Sequence, residues 1–232
     1  MNIRAHGVLV ASRKEDTTVS LVEPTLPTKN ERFFMNKYHP QYLQSLQTIS
    51  KAPSKYIELI LVNPPIKQQK FMPLLVFYPF RRRDIYELIS SLHIETEVSL
   101  DRYKISPQKA PWKFLLLENG AKQKGKSARE MKMYTKKSKL RGLTLIEGLW
   151  LVAAYPEILK DHAVDMIATT YSLECVPTLY LWNNRRHLSA ISPDVHDALC
   201  GAPIVYKEIQ LHQIPFADSG IKQLQYSSPS SP

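Results

Sequence analysis

Apolar positions alternate or recur at helical spacing in short segments separated by prolines and charged turns. Residues 7–11 and 17–22 are rich in β-forming side chains, and the charged stretch between them supplies a turn, which predicts an N-terminal hairpin over 7–23. Pro24 and Pro27 end regular structure there. Tyr42, Leu46 and Ile49 fall at helical spacing behind Pro40, so 40–49 reads as a surface helix with one buried stripe. Residues 56–62 and 73–78 are strand candidates, stopped by Asn63-Pro64-Pro65 and by Pro79 with the Arg81-Arg82-Arg83 run. Asp84 is placed to cap a helix over 85–92, and the apolar run 112–117, broken by Glu118-Asn119-Gly120, has the length of a buried strand.

Two capping boxes follow. In Ser127-Ala128-Arg129-Glu130 the serine accepts from the first turn while the glutamate reaches back, so a helix begins near Ala128. Ala128, Met131 and Thr135 lie on one side of it, with Tyr134 alongside, and Arg129, Lys132 and Lys136 lie along another. Thr144-Leu145-Ile146-Glu147 opens a second helix running to Ala154 that is apolar nearly all round, which predicts a central place in the core and makes Trp150 a core residue. Tyr155-Pro156 ends it. Strands are expected at 166–171 and 177–182, then a turn at Asn183-Asn184 and a returning strand at 188–191. Ser192-Pro193-Asp194 and Gly201-Ala202-Pro203 bracket a predicted two-turn helix, and 204–211 reads as a last strand.

The elements add up to an α+β fold: a single domain over 1–216, with its core at 40–212, in which a mixed, mainly antiparallel sheet is packed by the buried apolar helix. Residues 217–232, ending in a Ser/Pro repeat, lack the apolar content to offset ordering and are expected to be a mobile tail. Composition agrees with a globular chain: 232 residues, 44% hydrophobic and 22% charged, need no disulfide or metal for stability. Two cysteines, Cys175 and Cys200, make no disulfide framework, and no glycosylation acceptor occurs. With no signal-like or membrane-length apolar run, the expectation is a cytoplasmic protein that does not enter a membrane.

Charge changes the picture. Between 122 and 141 the basic residues Lys122, Lys124, Lys126, Arg129, Lys132, Lys136, Lys137, Lys139 and Arg141 face the single acid Glu130, a net of +8 out of the chain's +10. Clustered charge sums to a local field, the footprint of an anionic partner, although a solvated lysine-rich face has the same composition. The expected partner is nucleic acid or another polyanion, and no base-reading motif is visible.

Inside the same segment, Gly120-Ala121-Lys122-Gln123-Lys124-Gly125-Lys126-Ser127 matches the phosphate-binding loop pattern. In that chemistry Gly120 and Gly125 let amides close on phosphates, Lys126 reaches the terminal oxygens and Ser127 holds magnesium. The preceding strand and following helix suit it, but no acid-ended strand stands ready to help hold magnesium, and Ser127 already has a capping role. His196 and Cys200 are four apart on the predicted short helix; a metal would need further ligands such as Cys175 or His162, so a packed cysteine and a hydrogen-bonded histidine are expected instead. Glu147 reads as a cap, not a general base. No catalytic residue, cofactor or metal is predicted.

Residues 112–201 resemble a bacterial domain family best represented in actinobacteria, a domain of unknown function. The similarity rests on 112–120, on Arg141-Gly142-Leu143-Thr144-Leu145-Ile146-Glu147-Gly148 with the apolar helix after it, on Pro156-Glu157, on Val176-Pro177 before a strand carrying Trp182, and on His196. The chain departs from that family at Asn183-Asn184-Arg185-Arg186, where the family has a Gly-Trp pair. The resemblance implies that the glycine turn at 120 is architectural without a phosphate loop, and it carries no activity, cofactor or substrate. The expected function is therefore a non-enzymatic polyanion-binding domain. The alternatives are a nucleotide-binding enzyme and a structural or protein-interaction domain without ligand.

Overall fold

The computed structural model describes residues 16–19, 38–54, 57–58, 61, 71–79, 81–103, 110–171, 175–211 and 224–227. In chain order the elements are β1 (Asp16–Val19), α1 (Pro40–Ser50), β2 (Met72–Phe77), α2 (Arg82–Ser91), β3 (Ile94–Thr96), β4 (Trp112–Glu118), α3 (Ala128–Lys137), β5 (Arg141–Gly142), α4 (Leu145–Ala154), α5 (Ile158–Asp161), β6 (Ala163–Asp165), β7 (Val176–Trp182), β8 (Arg185–Ile191), β9 (Cys200–Gly201), β10 (Ile204–Leu211) and β11 (Leu224–Ser227). The fold is α+β. One sheet runs β1-β11-β10-β4-β2, with β5 alongside β10, and all of its pairs are antiparallel. A second runs β3-β8-β7-β6-β9, where β3 with β8 and β6 with β9 are parallel and the other pairs antiparallel. The strands thus form two sheets where one was expected.

The helix after Thr144 is central, as its apolar circumference predicts. Every residue of α4 is buried, and Trp150 Nε1 donates to the Phe77 carbonyl at 2.7 Å, fixing the helix to β2. α1 presents Tyr42, Leu46 and Ile49 to the same core, where the Tyr42 hydroxyl donates to the Leu75 carbonyl at 2.6 Å. Both capping boxes form. Asn183 and Asn184 take positive φ (47° and 60°), the conformation a two-residue hairpin turn needs, and join β7 to β8. No helix among the described residues is long and apolar enough to cross a membrane.

Several expectations are corrected. Ser54, Ile57, Glu58 and Leu61, in and beside the run expected as a strand, are helical, and Ile57 and Leu61, four apart, are both buried. A short apolar run does not distinguish the two states. Asp84 sits inside α2, paired at 2.7 Å with the capping residue Arg81. The strand expected over 166–171 lies earlier, as β6. The turn after it sends its hydrogen bonds to the start of α4 instead: Ala168 N to Leu143 O at 3.0 Å, and Leu145 N to Thr169 Oγ1 at 2.8 Å. Residues 192–199 form turns, not a helix, because Ser192 and Asp197 bond their own local amides. Leu224–Ser227, within the expected mobile tail, is a strand paired with both β1 and β10. β1 thus has β11 as a partner, and the rest of the expected N-terminal hairpin lies outside the described residues.

Candidate nucleic-acid interface

The basic segment begins where β4 leaves the sheet. Gly120 has φ 97°, and a Cβ there would stand 3.0 Å from the backbone of Gly201, so the turn is pressed against β9. The loop then folds on itself. Ala121 N donates to Asn119 Oδ1 (3.0 Å), Gln123 N to Gly120 O (2.8 Å), Gly125 N to Cys200 O (3.2 Å), Lys126 N to Gln123 O (3.2 Å) and Ser127 N to Glu130 Oε2 (2.8 Å). Amides that a phosphate loop aims at its ligand are here occupied by protein acceptors. Ser127 Oγ accepts from Glu130 N, so the hydroxyl is a cap. β4 also has antiparallel neighbours on both sides, unlike the parallel strand of a nucleotide fold. The Gly120, Gly125, Lys126 and Ser127 match is local sequence coincidence with a structural turn.

Beyond the cap, α3 is fastened by Ala128, Met131 and Thr135. The first two pack with Ile167, Val176, Ala202 and Ile204. The capping amide of Ser127 holds the Glu130 carboxyl below the usual range. The opposite side of the helix carries the cations. Of the nine basic residues, three are neutralised: Lys124 by Asp161 (2.6 Å), Arg129 by Asp194 (2.9 Å between Nη2 and Oδ2), and Arg141 by Glu147 and Glu208. Lys122, Lys126, Lys132, Lys136, Lys137 and Lys139 have no ion-pair partner among the described residues, and all but the half-buried Lys132 are exposed. Lys126 Nζ donates to Gln123 Oε1 at 2.9 Å and stands 5.7 Å from the Tyr134 ring centroid.

Arg141 is a correction to the expected set, because it faces the interior. Its guanidinium bonds both Glu147 oxygens at 2.7 Å and also reaches Glu208, which pairs with Lys113 at 2.7 Å. Glu147, fully buried, also accepts from the Tyr78 hydroxyl and from Thr144 N. Burial works against the Arg141 charge, but the two glutamates outweigh it and hold its pKa above the ordinary value. Burial, then Glu147, push the Tyr78 phenol up. Two cations and two anions balance, so the cluster is a neutral internal joint between β4, β5, β10 and α4.

The remaining candidates disperse. His162 is buried, with Nδ1 2.9 Å from Asp161 Oδ2 and Nε2 2.9 Å from Asn119 O; it braces the loop. His196 Nδ1 lies 3.3 Å from Gly125 O. Cys200 is buried in β9, its thiol pushed up to about 12 by burial and then by Asp165 and Asp197. Among the described residues no three His, Cys, Asp or Glu are grouped to hold a metal.

Sequence reasoning missed one aromatic residue of this surface, Tyr206. Val205 pairs with Leu117 and Lys207 with Leu116, which leaves Tyr206 as the extra residue of a β-bulge, a device that re-aims a side chain. Tyr206 is 41% exposed, packs on Phe71 with ring centroids 4.4 Å apart, and follows directly on the residues of β10 that pair with β5, the strand after α3; burial, then Tyr134 and Glu118, push its phenol up. Tyr134, which the sequence places alongside the helix's buried side and among the basic groups, is also 41% exposed. Only the register shift reveals Tyr206, since Ile204-Val205-Tyr206-Lys207 carries no local sign of a bulge. No family model, curated protein or solved structure matches the chain.

Proposed function

We propose that this protein binds the phosphate backbone of nucleic acid through α3 and its flanking turns, without acting on it as an enzyme. The observation that carries the reading is the set of six lysines, Lys122, Lys126, Lys132, Lys136, Lys137 and Lys139, without a carboxylate partner among the described residues. Such cations displace condensed counterions, so affinity falls with salt by a slope of about 0.9 per duplex phosphate neutralised. Six contacts predict roughly a thousandfold loss between about 50 and 200 mM salt. The test is fluorescence anisotropy with labelled oligonucleotides on the full chain and on Lys132→Gln/Lys136→Gln/Lys137→Gln. The expected result is a salt slope reduced by about 2.7 on duplex. An unchanged slope and affinity would leave the lysines as a solvated face and the chain as a protein-interaction domain.

A further inference from the structure

We infer that the nucleic acid taken by this surface is single-stranded, with unpaired bases stacked on Tyr134 and Tyr206; this rests on the phosphate-binding reading above and names its ligand class. Two rings on neighbouring elements, α3 and β10, are each 41% exposed: β5, which follows α3, pairs with β10 at Ile204 and Val205, next to Tyr206, and Lys126 stands over the Tyr134 ring. Tyr206 is not there through ordinary strand alternation. Tyr206 is turned out by the bulge and braced by Phe71, while Tyr134 is flanked by Lys126 and by Met133, which is 60% exposed.

The chemistry of that combination discriminates between ligands. A duplex offers phosphates on its outside and hides its ring faces except at the ends, so flat exposed phenols gain little from it. An unpaired strand offers both, and base stacking on an aromatic ring is worth about 1–3 kcal/mol per base with little sequence preference. Glu118 lies close enough to Tyr206 to raise its phenol pKa further, after burial and Tyr134, and it repels phosphate there. The backbone is therefore expected to follow Lys126, 5.7 Å from the Tyr134 ring centroid, and Lys137, three residues along α3 from Tyr134, while the bases turn toward the rings.

The experiment compares oligothymidylate of about 16 nucleotides, an abasic strand of equal length and a blunt duplex, at one salt concentration. Each is bound to the full chain, to Tyr134→Ala, Tyr206→Ala and their Phe counterparts, and to the triple lysine variant. Thermal melts by circular dichroism confirm folding. Oligothymidylate is expected to bind at least about tenfold tighter than the abasic strand, each Ala variant to lose about 5- to 150-fold on it, and each Phe variant to retain affinity. Neither tyrosine change should alter the salt slope. Equal binding of all three ligands with neutral tyrosine variants would overturn stacking while a weakened triple lysine variant keeps the phosphate reading. If the tyrosines matter and the lysines do not, the phosphate reading fails instead. Absence of any binding sinks both.

Discussion

Glu147 is the point at which the internal joint can be broken with the least change of shape. Its two oxygens accept from Tyr78, twice from Arg141 and from Thr144 N, and none of that carboxylate touches solvent. In Glu147→Gln the new amide nitrogen must face one of these donors. The least costly placement is toward Tyr78, whose hydroxyl can rotate to accept, but it removes the bond to Arg141 Nη2. Removing one partner of a buried ion pair costs about 3–5 kcal/mol. Arg141 keeps Glu208 and is 32% exposed, so the lower end applies, about 3 kcal/mol. For a chain of this size that lowers the melting temperature by about 6–12 °C, read by calorimetry. Arg141→Met, which strands a wholly buried carboxylate, should cost as much or more. The double variant Arg141→Met/Glu147→Met leaves Lys113 and Glu208 as a neutral pair and should cost less than the two singles combined. Single variants melting within about 2 °C of the parent, or effects that simply add, would refute the account of a coupled, buried joint.

Gly120→Ala and Gly125→Ala separate close approach from backbone conformation. Both have positive φ, but a Cβ meets Gly201 and Ala202 at position 120 and nothing within 4 Å at position 125. The first should cost about 2–3 kcal/mol and the second about 1 in urea unfolding; equal costs would argue against the β9 contact. Asp165 makes stability depend on pH. Burial pushes its carboxyl up to about 7, with Thr178 opposing and Asp197 adding. The folded state then holds more protons than the unfolded one, so stability is full below about pH 4 and declines as pH rises through about 7, by at most about 4 kcal/mol. Asp165→Asn, which copies the protonated form, should match the parent near pH 4 and exceed it near pH 8; a constant difference would refute the assignment. Saturable ATP binding abolished by Lys126→Ala would contradict the occupied loop amides, and none is expected.

What was legible in the sequence is what depends on near neighbours. Ser127 with Glu130 and Thr144 with Glu147 are three apart, Asn183-Asn184 is a single turn, and α4 shows its burial by having no polar face. The failures are long-range. Lys124 and Asp161 are 37 residues apart, Arg129 and Asp194 are 65, and Arg141 and Glu208 are 67, so no local pattern tells which cations will be neutralised. The 192–199 segment fails differently: its capping signals are real, but they close individual turns where the chain must reach β9. The choice between one sheet and two is likewise made by tertiary pairing, which turn residues do not encode.

The division of the basic segment into paired and unpaired cations has a consequence for the proposed binding. The paired ones hold the frame: Lys124 ties the loop to α5, Arg129 ties the first turn of α3 to the turn before β9, and Arg141 ties the strand after α3 to α4 and β10. The two exposed pairs are screened by solvent and contribute little, so Met131 and Ala128 in the core carry most of the fastening and the ion pairs set orientation. In the proposed binding, a helix held in this way would present its lysines without a further cost in backbone order. Only the side chains must be fixed, at about 0.5–1.5 kcal/mol each. If α3 binds phosphate as proposed, the charge lost from the surface to Asp161, Asp194 and the glutamates works in favour of the charge that remains, because an anchored helix would convert more of each phosphate contact into affinity than a mobile lysine-rich loop would.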